Sequence, residues 1–499
     1  MKLIFKIAAF LLLAFVLIFD LTSCKKDKLI LDSSAKVQFS QDSVLFDTVF
    51  TTIGSSTRNI RVRNKNDQPI KISSIDLVGG STSPFIINVD GSPGRSFIDV
   101  EIAANDSMYI FIQVNVNPNN ALSPLIINDA IKFVVNGNEQ TVYLEAWGQD
   151  AYYYYPTNAI KFKDGSYLPY SRISEADNAV INFYGDKPHV IYGYLVVDST
   201  QKLIINAGAK IYLNNKAGLW VYRYGELKVN GQKGNEVIFT GARREKDYRD
   251  EPGQWDRIWI NEGSVNNSID YAIIKNGTIG VQAELMGGAG VVFATEPRRL
   301  KITNTKIQNM SIWGFYGVGY NVYGGNNVFS SCQEHSINLT LGGKYTFLHC
   351  TFANFWEKEK TRDKPTINIS NHVETYVFPL DSAYFGNCIV DGKLTNEIGL
   401  DLDESNTSFP PKFTFSNCWL KTGMSTSDVS RFKNDIRKGS GSLAFVDYGV
   451  YDFHATNETR TKNFSNPDAT TDAQKFLFDL DGPTSLRNTT IVTIGAYEN

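Results

Sequence analysis

The chain has 499 residues, of which 42% are hydrophobic and 20% charged, and its formal net charge at pH 7 is −3. A chain of this length exceeds what one hydrophobic core usually supports, so two domains or a repeat array are expected. It carries no Lys/Arg-rich stripe of the kind that neutralises phosphates, which argues against nucleic acid as a partner. The 39 Gly, 31 Phe and 25 Tyr favour strands and turns over long helices.

Residues 1–23 have the features of a secretory signal peptide. Two lysines precede an apolar run over residues 7–19, which is shorter than the ~20 residues that a membrane-spanning helix needs. The run is followed by L-T-S-C at residues 21–24, which resembles the lipobox of bacterial lipoproteins.

This resemblance implies that Cys24 is acylated and becomes the N-terminus of the mature protein. Several acyl chains on one residue would hold the protein firmly to a membrane, with residues 24–35 as a tether. We therefore expect a lipid-anchored protein of the cell envelope, in the outer membrane of a Gram-negative bacterium. Periplasmic and surface-facing orientations both stay open.

Residues 36–150 are predicted to form a β-sandwich. Strand-like runs such as T-R-N-I-R-V from Thr57 and M-Y-I-F-I-Q-V-N-V from Met108 alternate with turns such as N-G-N at residues 136–138. The stretches F-D-T-V-F at 46–50 and V-R-N at 62–64 resemble the immunoglobulin-like modules related to the abnormal-spindle and major-sperm-protein families. Residues 151–187, which open with four tyrosines, are predicted to be a linker and a cap.

Residues 188–499 are predicted to form a solenoid. Between residues 203 and 240 the strands are three to five residues long and end at Gly or Asn, which suits parallel coils that bury apolar residues only by stacking. Phe-x-x-Cys occurs four times, beginning at residues 329, 347, 385 and 415.

These four motifs are predicted to occupy the same angular position around the axis of the solenoid, one above another on successive coils. The interval of 38 residues is interpreted as two coils of nineteen, and the interval of 30 as one coil with an inserted loop. Ile269-x-x-Ala272 and Ile302-x-x-Thr305 would continue the register upstream. Residues on adjacent coils lie ~4.8 Å apart with parallel side chains, so stacked free thiols are favoured over disulfides. No clustered Cys/His spacing favours a metal site.

Three stretches resemble the right-handed parallel β-helix family with the pectate-lyase-like fold. They are I-N-A-G-A-K-I-Y at 205–212, G-Q-W-D-R-I-W-I at 253–260, and the tail with D-G-P at 481–483, Arg487 and I-G-A-Y-E at 494–498. The tail is similar to the D-I-G-A-Y-E terminus of bacterial members, with Thr493 where Asp is common. The expected fold class is all-β, with an immunoglobulin-like sandwich followed by a right-handed parallel β-helix.

The family resemblance implies polysaccharide lyase or glycoside hydrolase activity as one alternative. A lyase of this fold uses an Arg or Lys base and acidic residues that hold Ca²⁺. The candidates for the metal are Asp401 and Asp403 in G-L-D-L-D-E, with Lys344 or Arg362 as a base. Alternatively, these acidic residues lie on a solvent-exposed edge of the β-helix and bind no metal. A hydrolase would need two carboxylates across the scissile bond, but the charged run at 243–251 is typical of a self-neutralising loop.

The second hypothesis is glycan binding by an aromatic ladder. Strand alternation sends one set of side chains inward: Ile211, Leu213, Leu219, Val221, Ile258 and Ile260. The opposite parity sends the candidate ladder outward: Tyr212, Trp220, Tyr222 and Trp259, with Arg223 and Arg257 for carboxylate contacts. The alternative is that other parts of the chain cover these rings.

The third hypothesis is a structural spacer or adhesive surface, which requires no special residues. The sequence therefore favours an envelope lipoprotein that binds polysaccharide or another envelope component through its β-helix surface without catalysis. Lyase or hydrolase activity is the alternative. Its partners would be the membrane, through the lipid, and a polysaccharide or an envelope protein.

Overall fold

The computed structural model describes residues 28–50, 55–116, 125–285, 299–358, 360–405, 407, 410–456 and 459–498. The predicted signal peptide, residues 1–23, and the predicted acylation site Cys24 lie outside the described residues. Helix accounts for 4% of the structure and strand for 51%, so the fold is all-β. Within the described part of the chain, no helix is both long and apolar enough to cross a membrane. The chain divides into two compact units, residues 1–150 and 151–499.

The first unit is a sandwich of two five-stranded sheets, ordered β1-β3-β8-β5-β6 and β2-β10-β9-β4-β7. Its strands are β1 Gln38–Phe39, β2 Ser43–Phe50, β3 Arg58–Arg63, β4 Ile70–Leu77, β5 Phe85–Val89, β6 Ser92–Gly94, β7 Ser96–Ile102, β8 Ser107–Val114, β9 Leu125–Val135 and β10 Asn138–Gln149, with a 3-10 helix at Gly80–Thr82. Alternate residues of the strands face inward, so Ile60, Val62, Ile110 and Ile112 are fully buried in one core.

The second unit is a parallel β-helix, in which each coil contributes three short strands. The early strands are β11 Tyr152–Tyr154, β12 Asn158–Lys161, β13 Tyr167–Arg172, β14 Val180–Phe183, β15 His189–Ile191, β16 Tyr194–Val197, β17 Lys202–Asn206, β18 Lys210–Leu213, β19 Gly218–Val221, β20 Glu226–Asn230, β21 Val237–Gly241, β22 Ile258–Asn261, β23 Asn267–Asp270, β24 Ala272–Lys275, β25 Ile279–Glu284 and β26 Leu300–Thr303. The later strands are β27 Lys306–Gln308, β28 Trp313–Val318, β29 Asn321–Gly325, β30 Val328–Ser330, β31 Ile337–Thr340, β32 Gly343–Leu348, β33 Thr351–Asn354, β34 Ile367–Ser370, β35 His372–Val373, β36 Tyr376–Val377, β37 Leu380–Gly386, β38 Ile389–Gly392, β39 Ile398–Asp401, β40 Phe413–Lys421 and β41 Phe432–Gly439.

Three rows of strands run along the solenoid. The first row is the ten-stranded sheet from β12 to β39. The second and third rows belong to the 19-stranded sheet: β14, β17, β20 and their successors form the second, and β11, β15, β18 and their successors form the third. Parallel pairing begins at β11 and β15, so the segment predicted as linker and cap already contributes strands to the solenoid.

An inward column of apolar residues runs through the second row. Its members are Phe183, Ile205, Val229, Ile269, Ile302, Gly324, Phe347, Phe385, Phe415 and Phe432. Neighbouring rings stack, as Phe385 and Phe415 do with centroids 4.7 Å apart. The predicted upstream register at Ile269 and Ile302 is therefore confirmed.

The predicted position of Phe329 is wrong. Gly324 takes the place in the column between Ile302 and Phe347, while Phe329 lies in the third row and pairs with Phe352. The 38 residues from Phe347 to Phe385 form one enlarged coil, because these two residues are direct neighbours. Two coils of nineteen residues would have placed another strand between them.

The four described cysteines are free and fully buried. Cys350, Cys388 and Cys418 each stand three residues after a phenylalanine of the second-row column, just past the corner where the chain turns from the second row to the third. The Cys388 thiol interacts with both of the others. Burial raises the pKa of Cys388 well above its usual range, and burial raises the pKa of Cys332 to about 12. Cys332 lies at the end of the third row instead, so the predicted ladder has three members and not four.

Residues 440–456 and 459–498, here called the strap, leave the coil and pack on its outside. They contain β42 Phe445–Asp447, β43 Asp452–Ala455, the helix α1 Pro467–Ala473, and 3-10 helices at Tyr448–Val450 and Thr459–Thr461. Strap residues such as Phe464, Val492 and Ile494 cover the outward-facing Ile389 and Trp419. The prediction that the β-helix extends to residue 499 is thus corrected, because its last coil ends with β41.

The D-G-P…I-G-A-Y-E tail fixes the strap to the coil. Buried Arg487 donates hydrogen bonds to Asn326 Oδ1 at 3.0 Å and to the Thr493 carbonyl at 3.3 Å. Its guanidinium lies 3.5 Å from the Glu498 carboxylate. Gly495 has φ of 91°, a backbone conformation that other residues rarely adopt, so this position favours glycine, and a Cβ there would also lie 2.5 Å from Ile389 Cδ1.

Candidate functional site

The first row presents the tryptophans of the predicted ladder. The six residues predicted to point inward are fully buried in the core, which confirms the strand parity. Trp220 and Trp259 are neighbours on adjacent coils, and their rings stack with centroids 4.7 Å apart and planes 12° apart. Parallel coils stack identical positions along the axis, so each ring covers a face of the other.

This stacking makes Trp220 a poor platform for a sugar. Only 6% of the Trp220 surface is exposed, and its Nε1 donates to Asn261 Oδ1 at 2.7 Å. Trp259 is partly buried and donates its Nε1 to Glu284 Oε1 at 2.7 Å. Both indole rings are thus held by neighbours within the protein.

The other predicted ladder residues are also engaged. Tyr212 lies on β18 in the third row, where the Arg244 guanidinium lies 5.2 Å from its ring centroid, so a single row of four aromatics is not formed. Tyr222 packs edge-on against Trp220, with centroids 5.4 Å apart.

The two predicted arginines contact carboxylates of the chain itself. Arg223 lies 2.6 Å from Glu262, and Arg257 lies 2.9 Å from Asp256. A ligand carboxylate would have to compete with these internal partners.

The two candidate calcium ligands have different hydrogen-bond partners. Asp401 contacts His372 at 3.1 Å, whereas Asp403 accepts a hydrogen bond from the Ser405 amide at 2.7 Å. Hydrogen bonds from Ser405 lower the pKa of Asp403. Among the described residues no group of three or more His, Cys, Asp or Glu side chains is placed to hold a metal ion.

The predicted bases have different surroundings. Arg362 is buried and forms two hydrogen bonds of 2.7 and 2.6 Å to Glu397, so this guanidinium serves a structural pair. Lys344 lies on β32 and is exposed on the second row. Of the two predicted bases, Arg362 is therefore already paired within the protein.

Sequence reasoning missed a groove on the outside of the third row. This groove, here called the strap groove, has a volume of about 740 Å³. It is lined by Ile238, Asp250, Ile273, Lys275, Gln308, Asn309, Ser331, Phe355, Trp356, Glu357, Lys358 and residues 448–451. Its floor is the outer face of the third row, and its walls are two loops and the strap.

One wall is the charged loop predicted at residues 243–251. The Asn276 amide donates to the Arg249 carbonyl at 2.6 Å, and the Asn309 amide donates to the Asp250 carbonyl at 2.8 Å. Asn309 also donates to Asn276 Oδ1 at 2.8 Å. Two stacked asparagines at the ends of β24 and β27 thus position this wall.

The opposite wall is aromatic. The rings of Phe355 and Tyr448 stack with centroids 4.7 Å apart, and Trp356 donates its Nε1 to the Lys360 carbonyl at 2.8 Å. The Asp447 carboxylate caps the short helix by accepting from the Gly449 amide at 2.8 Å. Burial, with a contribution from the Asp250 charge, raises the pKa of Tyr451 to about 12, so its hydroxyl stays protonated.

The floor combines apolar side chains with one unpaired polar atom. Ile238 and Ile273 are half-buried there, and Gln308 is only 7% exposed. The Gln308 Oε1 atom is buried and has no hydrogen-bond partner. A buried amide oxygen without a donor costs free energy, so a ligand that donates to it would be favoured.

No protein-family model matches the chain, and no curated protein matches it. The chain is similar to a PapD-like domain of human CEP192 at 13% identity and a TM-score of 0.16, over 26% of this chain and 92% of that one. It is similar to a family 123 glycoside hydrolase from Clostridium perfringens at 13% identity and a TM-score of 0.18, over 28% of this chain and 26% of that one. It is similar to the E. coli chaperone DraB at 10% identity and a TM-score of 0.17, over 28% of this chain and 82% of that one.

The chain spans about a quarter of the length of that hydrolase and about half of the YadV and SafB chaperone structures that it also matches. Likenesses at these TM-scores support no conclusion about the activity or the partners of this chain.

Proposed function

We propose that this chain is a lipid-anchored envelope protein with a pectate-lyase-like β-helix that binds polysaccharide, or another envelope component, without cleaving it. The observation that carries the proposal is the strap groove, where an unpaired Gln308 oxygen lies on an apolar floor beside an aromatic wall. The lipid anchor rests on the lipobox-like residues at 21–24.

The groove offers the two kinds of contact that sugars use. Sugar rings have apolar C–H faces, which suit aromatic walls, and hydroxyl groups, which suit isolated polar atoms in an otherwise apolar site. Tyr448 is 38% exposed and presents its ring to the groove. Its hydroxyl approaches Glu357 Oε1 at 3.5 Å, so the ring is oriented.

Binding is favoured over hydrolysis because the carboxylates of the groove already have cationic partners. Asp250 lies 3.3 Å from Lys275, and Glu357 lies 2.5 Å from Lys393. Both carboxylates are thereby committed to ion pairs within the protein and not to a substrate. Lyase or hydrolase activity would show itself in the binding test as new reducing ends or unsaturated products.

The test uses the full chain in detergent, applied to immobilised polysaccharides, with Tyr448→Ala as the variant. Loss of the exposed ring is expected to weaken retention about five- to tenfold, since an aromatic contact of this kind contributes roughly 1 kcal/mol. Tyr376→Ala is the matched control, because Tyr376 is 67% exposed on the β35–β36 hairpin and does not line the groove.

Equal retention of both variants would remove the groove from the proposal. New reducing ends or unsaturated products during the incubation would instead show an enzyme and overturn the non-catalytic proposal.

A further inference from the structure

We infer that the ligand of the strap groove is a neutral saccharide, and that the groove discriminates against uronates and other anionic glycans. This inference rests on the proposed function and adds the chemical class of the ligand. It follows from the balance of charges at the groove and from the hydrogen-bonding character of its floor.

The charges at the rim compensate one another. The described lining residues include two acids, Asp250 and Glu357, and two bases, Lys275 and Lys358. Lys275 lies 3.3 Å from Asp250, and Lys358 lies 3.1 Å from Glu251. An anionic sugar would therefore meet no net positive charge, and it would compete with carboxylates that already contact both lysines.

The floor favours a hydrogen-bond donor. Gln308 Oε1 accepts hydrogen bonds but cannot donate them, and it is buried without a partner. The amide of the same side chain can also donate through its Nε2, so a sugar hydroxyl can pair with both atoms, whereas a carboxylate or sulfate can only accept from the nitrogen and leaves Oε1 without a donor. The half-buried Ile238 and Ile273 beside it further disfavour a charged group, because a charge placed there would lose water.

Removal of Gln308 Oε1 is expected to lower the affinity for a saccharide without lowering the stability of the protein. Gln308→Leu keeps a side chain of similar size on the apolar floor and removes the unpaired oxygen. We expect affinity for a neutral saccharide to fall about five- to tenfold, as for the loss of one hydrogen bond, while the thermal midpoint of the ligand-free protein stays equal or rises.

Gln282→Leu provides the matched control. Gln282 is also buried, at 5% exposure, but its Nε2 donates to Glu284 at 2.6 Å and its Oε1 accepts from Arg257. Its replacement is expected to lower the thermal midpoint and to leave saccharide affinity unchanged.

The experiment measures binding of the full chain in detergent to a panel of neutral polysaccharides. The panel also contains uronic acid polymers and the same polymers after reduction of their carboxylates to alcohols, so that charge is the only difference within each pair. We expect retention on neutral polymers and stronger retention on a reduced polymer than on its acidic parent. Retention must fall in Gln308→Leu and persist in Gln282→Leu.

Stronger binding of the acidic member of a pair would overturn the inference and leave the proposed function standing. Unchanged affinity in Gln308→Leu would also overturn it, because the floor would then not contact the ligand. Failure of every polymer to bind would overturn polysaccharide binding, the part of the proposed function on which this inference rests.

Discussion

The chain turns from the second row to the third at one corner of each coil, and single residues with a left-handed backbone conformation form this turn. Seven residues at this corner have φ between 45 and 63°: Tyr271, Asn304, Asn326, His349, Asn387, Asn417 and Asn434. Five of them are asparagines, because a short polar side chain tolerates the left-handed conformation better than most others. The sequence showed that strands end at Asn, and the structure gives the reason.

Asn387 shows what the asparagine side chain adds. Its amide donates to His349 Nε2 at 2.9 Å and to the Ala469 carbonyl at 2.9 Å, so it joins adjacent coils and α1 of the strap. Burial lowers the pKa of His349 well below its usual range, which keeps that ring neutral and able to accept.

Substitutions at this position separate backbone strain from hydrogen bonding. Asn387→Gly tolerates a φ of 53° and loses only the two amide hydrogen bonds, for a loss of about 1–3 kcal/mol. Asn387→Ala is expected to cost about 1 kcal/mol more, because alanine is strained in this conformation. Urea denaturation would measure both changes, and equal midpoints for the two variants would contradict the strain argument.

The Phe-x-x-Cys motif shows why residue patterns predicted the coil but not every position in it. In Phe347-x-x-Cys350 the second intervening residue, His349, has φ of 49°, and in Phe329-x-x-Cys332 Ser331 has φ of 51°. Both motifs therefore encode an inward residue, a left-handed corner and a second inward residue. A coil has more than one such corner, and local sequence does not say which one is meant.

At the scale of elements, the strap is the part that sequence patterns describe least well. Its helix is recognisable locally, because Asn466 caps it by accepting from the Ala469 amide at 3.1 Å and Pro467 begins it. Its place on the outside of the coil depends on apolar residues that face outward, such as Ile389 and Trp419. The inward and outward alternation of side chains along a strand, taken alone, predicts that such residues face solvent.

A histidine between two carboxylates ties the strap together. His454 on β43 lies 2.5 Å from Asp452 and 2.7 Å from Asp481, and its ring packs on Tyr497. Lys233 contacts Asp481 at 2.9 Å, and Lys306 lies 5.6 Å from the Tyr497 ring centroid. Burial lowers the pKa of His454, but the hydrogen bonds to both carboxylates outweigh it and raise the pKa overall.

This arrangement predicts that the strap loosens as pH rises. A histidine whose pKa is raised on folding contributes stability below its unfolded pKa, and that contribution is lost as pH rises through the folded value. The pKa values of Asp452 and Asp481 are lowered, so their contribution is lost only in acid. The protection of backbone amides in the strap against hydrogen exchange is therefore expected to fall about two- to fivefold between about pH 6 and pH 8, after correction for intrinsic exchange rates.

His454→Gln should abolish this dependence. His372→Gln is the control, since His372 contacts a single exposed carboxylate, Asp401, outside the strap. A pH dependence that survives in His454→Gln would assign the effect to another group.

At the scale of the whole molecule, the proposed lipid anchor precedes both folded units in the sequence. A lipobox-like sequence precedes the β-sandwich unit, and the β-helix unit follows it. Cys24→Ser tests the anchor, because the proposed acylation requires the thiol. We expect the wild-type chain to incorporate labelled fatty acid and to sediment with membranes, and the variant to do neither.

Cys332→Ser is the control for acylation, because this thiol is fully buried in the folded protein. Labelling of the Cys24→Ser chain would contradict the lipobox prediction, and labelling lost in Cys332→Ser alone would place the acyl group elsewhere.

The sequence by itself determined the all-β class, the stacking of short strands and the inward parity of residues such as Ile258 and Ile260. These features depend on local periodicity, which any part of a strand reports. Only the tertiary structure decided which corner each motif occupies, that Trp220 and Trp259 cover each other, and that a groove lies beneath the strap. The groove joins residues from Ile238 to Tyr451. The chain brings them together only when coils stack and the strap folds back, because packing between distant segments creates sites that no local pattern contains.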